Sequence, residues 1–302
     1  MKRRATRVRR FILFACRFFC VTAFVMAAAG DRAQSGAAER GKYIFDAAGC
    51  YACHTEPGGA AMAGGPALRT AYGTFYAPNI TPDPEFGIGQ WSDADFIRAL
   101  REGVSPHGEN YFPVFPYPAY TKMTAQDILD LRAYLKTLAP SKNPRRAHDL
   151  RFPYSVRMVL TPWKWVNFQP GEFRPAPDYD AQWNRGAYIV QALTHCGECH
   201  TPRNKLDGLD PRKWLSGARM PVGDLIASNL TPDKTGLADW SAADIVDALE
   251  TGTLPQGGTL GGEMGEVVRN STSKMQAQDR AAIAAYLKAL PPLPTTVKKK
   301  EK

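Results

Sequence analysis

Two pentapeptides carry the chemistry of this chain: Cys50-Tyr51-Ala52-Cys53-His54 and Cys196-Gly197-Glu198-Cys199-His200. Two thiols separated by two residues can form thioethers to the two vinyl groups of one porphyrin, and the imidazole that follows meets the iron from the same short helical turn. The pattern predicts two covalently bound c-type haems, attached at Cys50, Cys53, Cys196 and Cys199, with His54 and His200 as iron ligands. A structural zinc site also uses Cys-x-x-Cys, but it needs four convergent donors, and a His directly after a Cys is poorly placed to join the same ion. A disulfide framework or a dithiol redox pair requires no His at that position.

Around each motif the same parts recur in the same order, which marks an internal duplication. Gly41-Lys42-Tyr43-Ile44 before the first motif matches Gly186-Ala187-Tyr188-Ile189 before the second, and Ala77-Pro78-Asn79-Ile80-Thr81-Pro82-Asp83 matches Ala227-Ser228-Asn229-Leu230-Thr231-Pro232-Asp233. Trp91-Ser92 and Trp240-Ser241 each set a helix-capping residue after a Trp. Each copy closes on apolar residues at helical spacing, ending in Ala-Tyr-Leu-Lys at 133–136 and 285–288. A helix before the motif, one after the Trp and a closing helix resemble class I cytochrome c. The expected fold class is all-α, two tandem class I cytochrome c-like domains at 37–140 and 181–290, each built around one haem, because a domain of that size buries little core by protein alone.

Between the copies, residues 141–180 hold Pro153, Pro162, Pro170, Pro175 and Pro177 with Phe152, Tyr154, Trp163, Trp165, Phe168 and Phe173. So many aromatic groups are costly to leave in water, so this connector is expected to pack along the seam of the domains and to fix a short haem-to-haem distance. Residues 1–29 carry seven Lys or Arg and no acid, with an apolar run from Phe11 to Ala29, and read as a secretory signal peptide cleaved near Ala29. An uncleaved membrane anchor is the alternative, which Arg17 inside the run disfavours. Cleavage removes Cys16 and Cys20 and leaves four Cys, all assigned to haem. Subtracting the seven charges of that segment from the formal +9 leaves +2, and the basic tail at 291–302 ends in four Lys and Glu301. No basic face remains for nucleic acid.

The chain is similar to the two-domain cytochromes c related to the cytochrome subunits of membrane-bound bacterial alcohol, aldehyde and gluconate dehydrogenases. His195-Cys196-Gly197-Glu198-Cys199-His200-Thr201-Pro202-Arg203-Asn204 is the most specific stretch, and the resemblance covers residues 37–290. Those subunits usually carry a third haem domain and a C-terminal membrane anchor with no counterpart here, so a two-haem relative is expected. In the second domain, Gly261-Gly262-Glu263-Met264-Gly265-Glu266-Val267-Val268 resembles the family's Met-ligand loop, which implies Met264 as the sixth ligand of that iron; a core methionine is the alternative. In the first domain the matching loop reads Phe112-Pro113-Val114-Phe115-Pro116-Tyr117-Pro118, with Phe115 in the place of that Met. Met123 is the nearest substitute as iron ligand, Met62 and His107 are further candidates, and an open or water-filled site is another outcome. Met275 holds the same pre-helix position in a domain that already has Met264, which favours a hydrophobic staple between Met123 and Ile128. His148 and His195 read as structural, and Asn79 and Asn229 as turn formers.

An iron with six ligands changes oxidation state without binding substrate, and two fixed haems make a short wire. The resemblance therefore implies a periplasmic diheme cytochrome c, non-catalytic itself, that takes electrons from a periplasmic or membrane-bound dehydrogenase and passes them to a cytochrome, a terminal oxidase or quinone through small, transient contacts. The alternative is a diheme, peroxidase-like redox enzyme with an open first haem. A thiosulfate-oxidising relative would place a Cys on its catalytic iron, and the mature chain has none to spare.

Overall fold

The computed structural model describes residues 35–220 and 225–297. The expected signal peptide at 1–29, with Cys16 and Cys20, and the last residues of the basic tail, 298–302, lie outside the described residues. Among the described residues no helix is long and apolar enough to cross a membrane.

The first domain opens with α1 (35–47) and the single-turn α2 (Cys50–His54). The hairpin β1 (Ala67–Thr70) and β2 (Gly73–Tyr76) follows, then α3 (Asp93–Glu102), the short α4 (Tyr117–Tyr120) and the closing α5 (Ala125–Leu135). The connector supplies β3 (Asp149–Leu150) and α6 (Leu160–Asn167). The second domain repeats the plan: α7 (Ala181–Tyr188) runs on as a π turn over Ile189–Leu193, then come α8 (Gly197–His200), the two-residue strands β4 (Ala218–Arg219) and β5 (Ile226–Ala227), α9 (Ala242–Thr251), α10 (Gly262–Asn270) and α11 (Ala277–Lys288).

Local chemistry accounts for the matched helices. Ser92 and Ser241 each form a capping box with the Asp three residues on, and Gly103 and Gly252 end α3 and α9 in the left-handed conformation. Phe96, Ala99 and Leu100 on α3, and Ile128, Leu131 and Leu135 on α5, give each helix an i, i+3/i+4 or i+7 apolar stripe that turns inward. The first and last helices of each domain cross at backbone contact distance. A Cβ added to Gly41 of α1 would sit 1.8 Å from the Asp130 carbonyl oxygen of α5, and one added to Gly186 of α7 would sit 1.9 Å from that of Ala282 in α11. Only glycine permits that approach.

The small sheets depart from the all-α expectation. β1, β2 and β3 form one antiparallel sheet, and β4 pairs with β5. Leu68, Tyr72, Phe75 and Leu150 pack with Phe112 and Leu160 in a core of their own, and strands of two to four residues are too short to leave an alternating pattern that stands out in the sequence.

The two domains share one continuous hydrophobic core, from Ile44 and Phe45 of α1 to Tyr286 and Leu287 of α11. The polar contacts across the seam follow a pseudo-two-fold. The Tyr43 hydroxyl donates to the Asp279 carboxylate at the start of α11 and accepts from the Gln276 N–H, while its repeat partner Tyr188 donates to Asp127 at the start of α5 and accepts from the Thr124 N–H. Around this pair, Ser271 donates to the Ala47 carbonyl (2.7 Å) and the Tyr120 ring meets the His195 ring edge-on (5.7 Å).

The connector follows the seam only in part. Trp163 Nε1 donates to the Leu206 carbonyl, Phe168 packs on Tyr117, and the Phe173 N–H donates to the Lys122 carbonyl while its ring meets Tyr188. Phe152 and Trp165, by contrast, are 83 % and 80 % exposed. Burial of the whole aromatic set, expected from its density, therefore does not occur: α6 is a two-turn helix and turns only one face to the domains.

Candidate haem sites

Each Cys-x-x-Cys-His motif sits on a one-turn helix that the chain enters through a left-handed residue, Gly49 (φ 63°) before α2 and His195 (φ 42°) before α8. That kink turns the chain out of α1, or out of the π turn after α7, so that both thiols and the imidazole come from one turn. Nδ1 of His54 donates to the Pro78 carbonyl at 2.8 Å, and Nδ1 of His200 to the Ser228 carbonyl at 2.7 Å. A proton held on Nδ1 leaves Nε2 with its lone pair free, which is the tautomer and orientation a metal-bound imidazole needs. Burial pushes both imidazoles below their ordinary pKa against the opposing carbonyl bonds, so both are neutral at pH 7.

The carbonyls that orient the imidazoles are themselves fixed. Oδ1 of Asn79 accepts from the Thr81 N–H and hydroxyl, while its Nδ2 donates to the Ser141 and Asn143 carbonyls. Asn229 repeats this with Thr231 and the Leu293 carbonyl. The Asn-x-Thr-Pro-Asp segments, turn formers by their composition, thus do more: they pin the chain leaving the closing helix and set the preceding residue, Pro78 or Ser228, against the His. Sequence reasoning missed Pro78 and Ser228; the signal was the recurrence of the whole heptad at a matched distance after each motif.

The four described cysteines are unpaired. Burial, and for Cys50 also the neighbouring Cys53, pushes the Cys50 thiol up to about 12, and burial with the Glu198 charge pushes Cys199 up to about 11. Among the described residues no group of three or more His, Cys, Asp or Glu converges as a metal site would require, which is the geometry the zinc reading needed.

A cavity of about 2070 Å³ opens on Cys50, Cys53 and His54, walled by Ile88, Trp91, Phe96, Leu100 and Phe115 among others. It exceeds the ~300–1,000 Å³ of an ordinary small-molecule pocket, its wall is largely apolar, and the thiol pair and imidazole stand on one side of it. These residues fit a covalently held haem. The same cavity reaches Glu198 and Cys199 of the second attachment turn, whereas Cys196, His200 and Met264 do not line it. Glu198 lies there beside Arg203 (3.1 Å), its pKa raised by burial.

The other residues singled out in the sequence fall in different places. Met264 is half-buried in the first turn of α10, a helix where a loop was expected. Met123 is 0 % exposed in the core with Ile128, as a staple would be, and it does not line the cavity. Met62, 1 % exposed, lies on the imidazole side: Thr55, next to His54, donates its hydroxyl to the Met62 sulfur (3.7 Å) and accepts from the Met62 N–H. His107 is exposed on a turn at the cavity rim, and Nδ1 of His148 accepts from the Tyr76 N–H. Nε2 of His195 faces the Ala48 carbonyl at 3.4 Å. Trp91 and Trp240 serve through their backbones, their carbonyls accepting from Arg132 of α5 and Lys288 of α11.

Duplicated helices around two such motifs are those of a cytochrome c, and the cytochrome c family profile matches residues 38–139 and 184–291. The chain belongs to the cytochrome c family and carries covalently bound c-type haem in two domains. It is 45 % identical over 265 residues to the diheme cytochrome c-type of Cereibacter sphaeroides, which covers 85 % of this chain and 87 % of that protein. It is 37 % identical over 292 residues to the cytochrome c subunit of the quinone alcohol dehydrogenase of Gluconacetobacter polyoxogenes, covering 94 % of this chain and 62 % of that subunit. It is 38 % identical over 274 residues to the gluconate 2-dehydrogenase cytochrome c subunit of Pantoea cypripedii, covering 87 % and 62 %. The chain thus spans about three fifths of those two dehydrogenase subunits. The latter two relatives are cytochrome subunits of dehydrogenases.

Proposed function

We propose that this protein is an exported, periplasmic diheme cytochrome c of class I type that accepts electrons from a partner dehydrogenase and delivers them to a downstream cytochrome, terminal oxidase or quinone. The observation that carries the reading is the repeated attachment turn: in both copies of the domain a Cys-x-x-Cys-His turn presents an imidazole whose Nδ1 is held by a backbone carbonyl, and the two copies meet across a seam locked by Tyr43 and Tyr188. In this reading Cys50, Cys53, Cys196 and Cys199 would bear the thioethers, His54 and His200 would hold the irons, and Met264 would supply the second iron's further ligand. When bound, each haem supplies a one-electron couple whose potential is set by its axial ligands and surroundings. The chain's own residues orient the imidazoles through Pro78 and Ser228, exclude water with aromatic walls, and hold the two sites at a fixed separation. Export rests on the basic and apolar segment at 1–29, and a dehydrogenase donor on the names of the relatives.

The test is to add alcohols, aldehydes, gluconate, fructose or nicotinate to extract of the native host containing the oxidised, purified holoprotein. Substrate-dependent growth of the reduced haem bands with one of them names the donor class. Absence of reduction with every dehydrogenase substrate, in extract that oxidises those substrates, overturns the reading. A peroxidase-like reaction at the first haem has Phe115 in its favour, but of the imidazoles that line the cavity His148 is engaged with the Tyr76 N–H, His195 faces the Ala48 carbonyl and His107 stands exposed at the rim.

A further inference from the structure

The two domains differ most in the segment that follows α3 and α9, and the chain's own duplication gives the register of the difference. After α3 and α9 the backbone makes the same hairpin. The Tyr111 N–H donates to the Gly103 carbonyl (2.8 Å) and the Leu260 N–H to that of Gly252 (2.7 Å), with a bridge between Val104 and Asn110 in one and between Thr253 and Thr259 in the other. Tyr111 and Leu260 are thereby equivalent. Four residues on from each stand Phe115 and Met264. From there the segments part: α10 begins at once and runs through Met264, whereas Pro113, Pro116 and Pro118 break the first domain's chain and leave only α4. Phe115 is held in that bend by an aromatic cage, with ring centroids 5.6 Å from Tyr111, 5.8 Å from Tyr120 and 6.4 Å from Tyr117.

We infer that the iron held by His54 meets the Phe115 ring where the second domain offers Met264, and that this first site binds a neutral diatomic gas there, whereas the second site is closed by Met264. A phenyl ring has no lone pair to offer. The methionines of the first domain are engaged elsewhere, Met62 on the imidazole side and Met123 in the core off the cavity, and the one methionine on the cavity wall among the described residues, Met220, comes from the segment after β4 of the second domain. His148 is turned to Tyr76 between the rings of Phe75 and Phe112, and His195 to Ala48. Burial raises the pKa of the Tyr111 and Tyr120 phenols, which keeps them protonated; both residues line the cavity, and neutral phenols are weak ligands. An apolar wall suits an uncharged ligand, since an ion would lose its hydration there without compensation. This inference rests on the two haems and not on electron delivery, so it stands or falls separately from the function proposed above.

The experiment is titration of the dithionite-reduced holoprotein with carbon monoxide, followed in the Soret band, with total haem quantified. Half of the haem is expected to respond. Phe115→Met should take that fraction from half to none, Met264→Ala should take it from half to all, and His107→Ala, which removes the exposed imidazole at the rim, should leave it at half. The oxidised wild-type protein should give one high-spin and one low-spin paramagnetic resonance signal, a reading that needs no variant to mature. Two low-spin signals with no carbon monoxide uptake overturn the inference, and so does uptake that Phe115→Met leaves intact in a protein carrying both haems.

Discussion

On the imidazole side the first and second haem domains follow one plan: a left-handed residue, a one-turn helix, Nδ1 on the carbonyl of residue 78 or 228, and an Asn that ties the next turn to the chain leaving the closing helix. Beyond α3 and α9 they share only the hairpin, and then one chain becomes a nine-residue helix carrying Met264 and the other a proline-broken bend carrying Phe115. The contrast shows which half of a haem site tolerates change after duplication. The imidazole side is bound to the covalent attachment and to three separate stretches of backbone, so a shift in any one misplaces the ligand. The far side is a single segment anchored upstream, free to be rebuilt without disturbing the rest.

Removing the shared half should have the largest effect. Replacing Cys50 and Cys53 by Ser, or Cys196 and Cys199 by Ser, should lower covalent haem from two per chain to one in either case, read by haem quantification after denaturation; an unequal result would break the equivalence of the two imidazole sides. Next comes the half that differs. Met264→Ala should lower the midpoint potential of one haem by a substantial part of the roughly 0.8 V range that axial ligands command, leaving the other unmoved in a redox titration.

The remaining predictions concern how the copies are held. Gly41→Ala and Gly186→Ala place a methyl group inside a backbone carbonyl contact and should each cost about 3 kcal/mol in thermal or denaturant unfolding, the upper end for overpacking. Tyr188→Phe and Tyr43→Phe remove matched bonds to carboxylates, on the order of 1.5–3 kcal/mol, and should fall in that order. Asp279 keeps its bidentate partner Arg185 (2.6 and 2.9 Å) when Tyr43 is lost, whereas Tyr188 is the side-chain donor to the Asp127 carboxylate. The smallest effect is a pH dependence. Burial raises the Asp279 pKa, but the hydrogen bonds from Arg185 and Tyr43 lower it by more, and the net is a depressed folded value. Its stabilising share is therefore present above the unfolded pKa of about 3.9 and is lost as pH falls through the lower folded value. Asp279→Asn should flatten that part of the acid limb, with no counterpart change above pH 5.

Much of this architecture is legible in the sequence. The capping boxes at Ser92 and Ser241, the closing helices after Thr124 and Gln276, and the staple at Met123 follow from short-range rules, since each joins residues within about one turn. The strands are not legible, because two to four residues carry too little period, and neither is the exposure of Phe152 and Trp165, which depends on which face of α6 meets the domains. Asn79 reads as a turn former and is one, but its Nδ2 reaches Ser141, 62 positions away, and no local rule finds such a partner.

The amino-acid sequence by itself determined the covalent chemistry: two thiols and an imidazole within five residues can act on one porphyrin whatever surrounds them, because one helical turn brings them together. It also determined that this happens twice, through a repeat that extends well beyond the motifs. The tertiary structure alone decided which carbonyl holds each imidazole, and that Tyr43 meets Asp279 across 236 residues of chain. Those arrangements join segments whose separation along the chain carries no information about their distance in space, and only the packing of α1 on α5, of α7 on α11 and of one copy on the other brings them within reach.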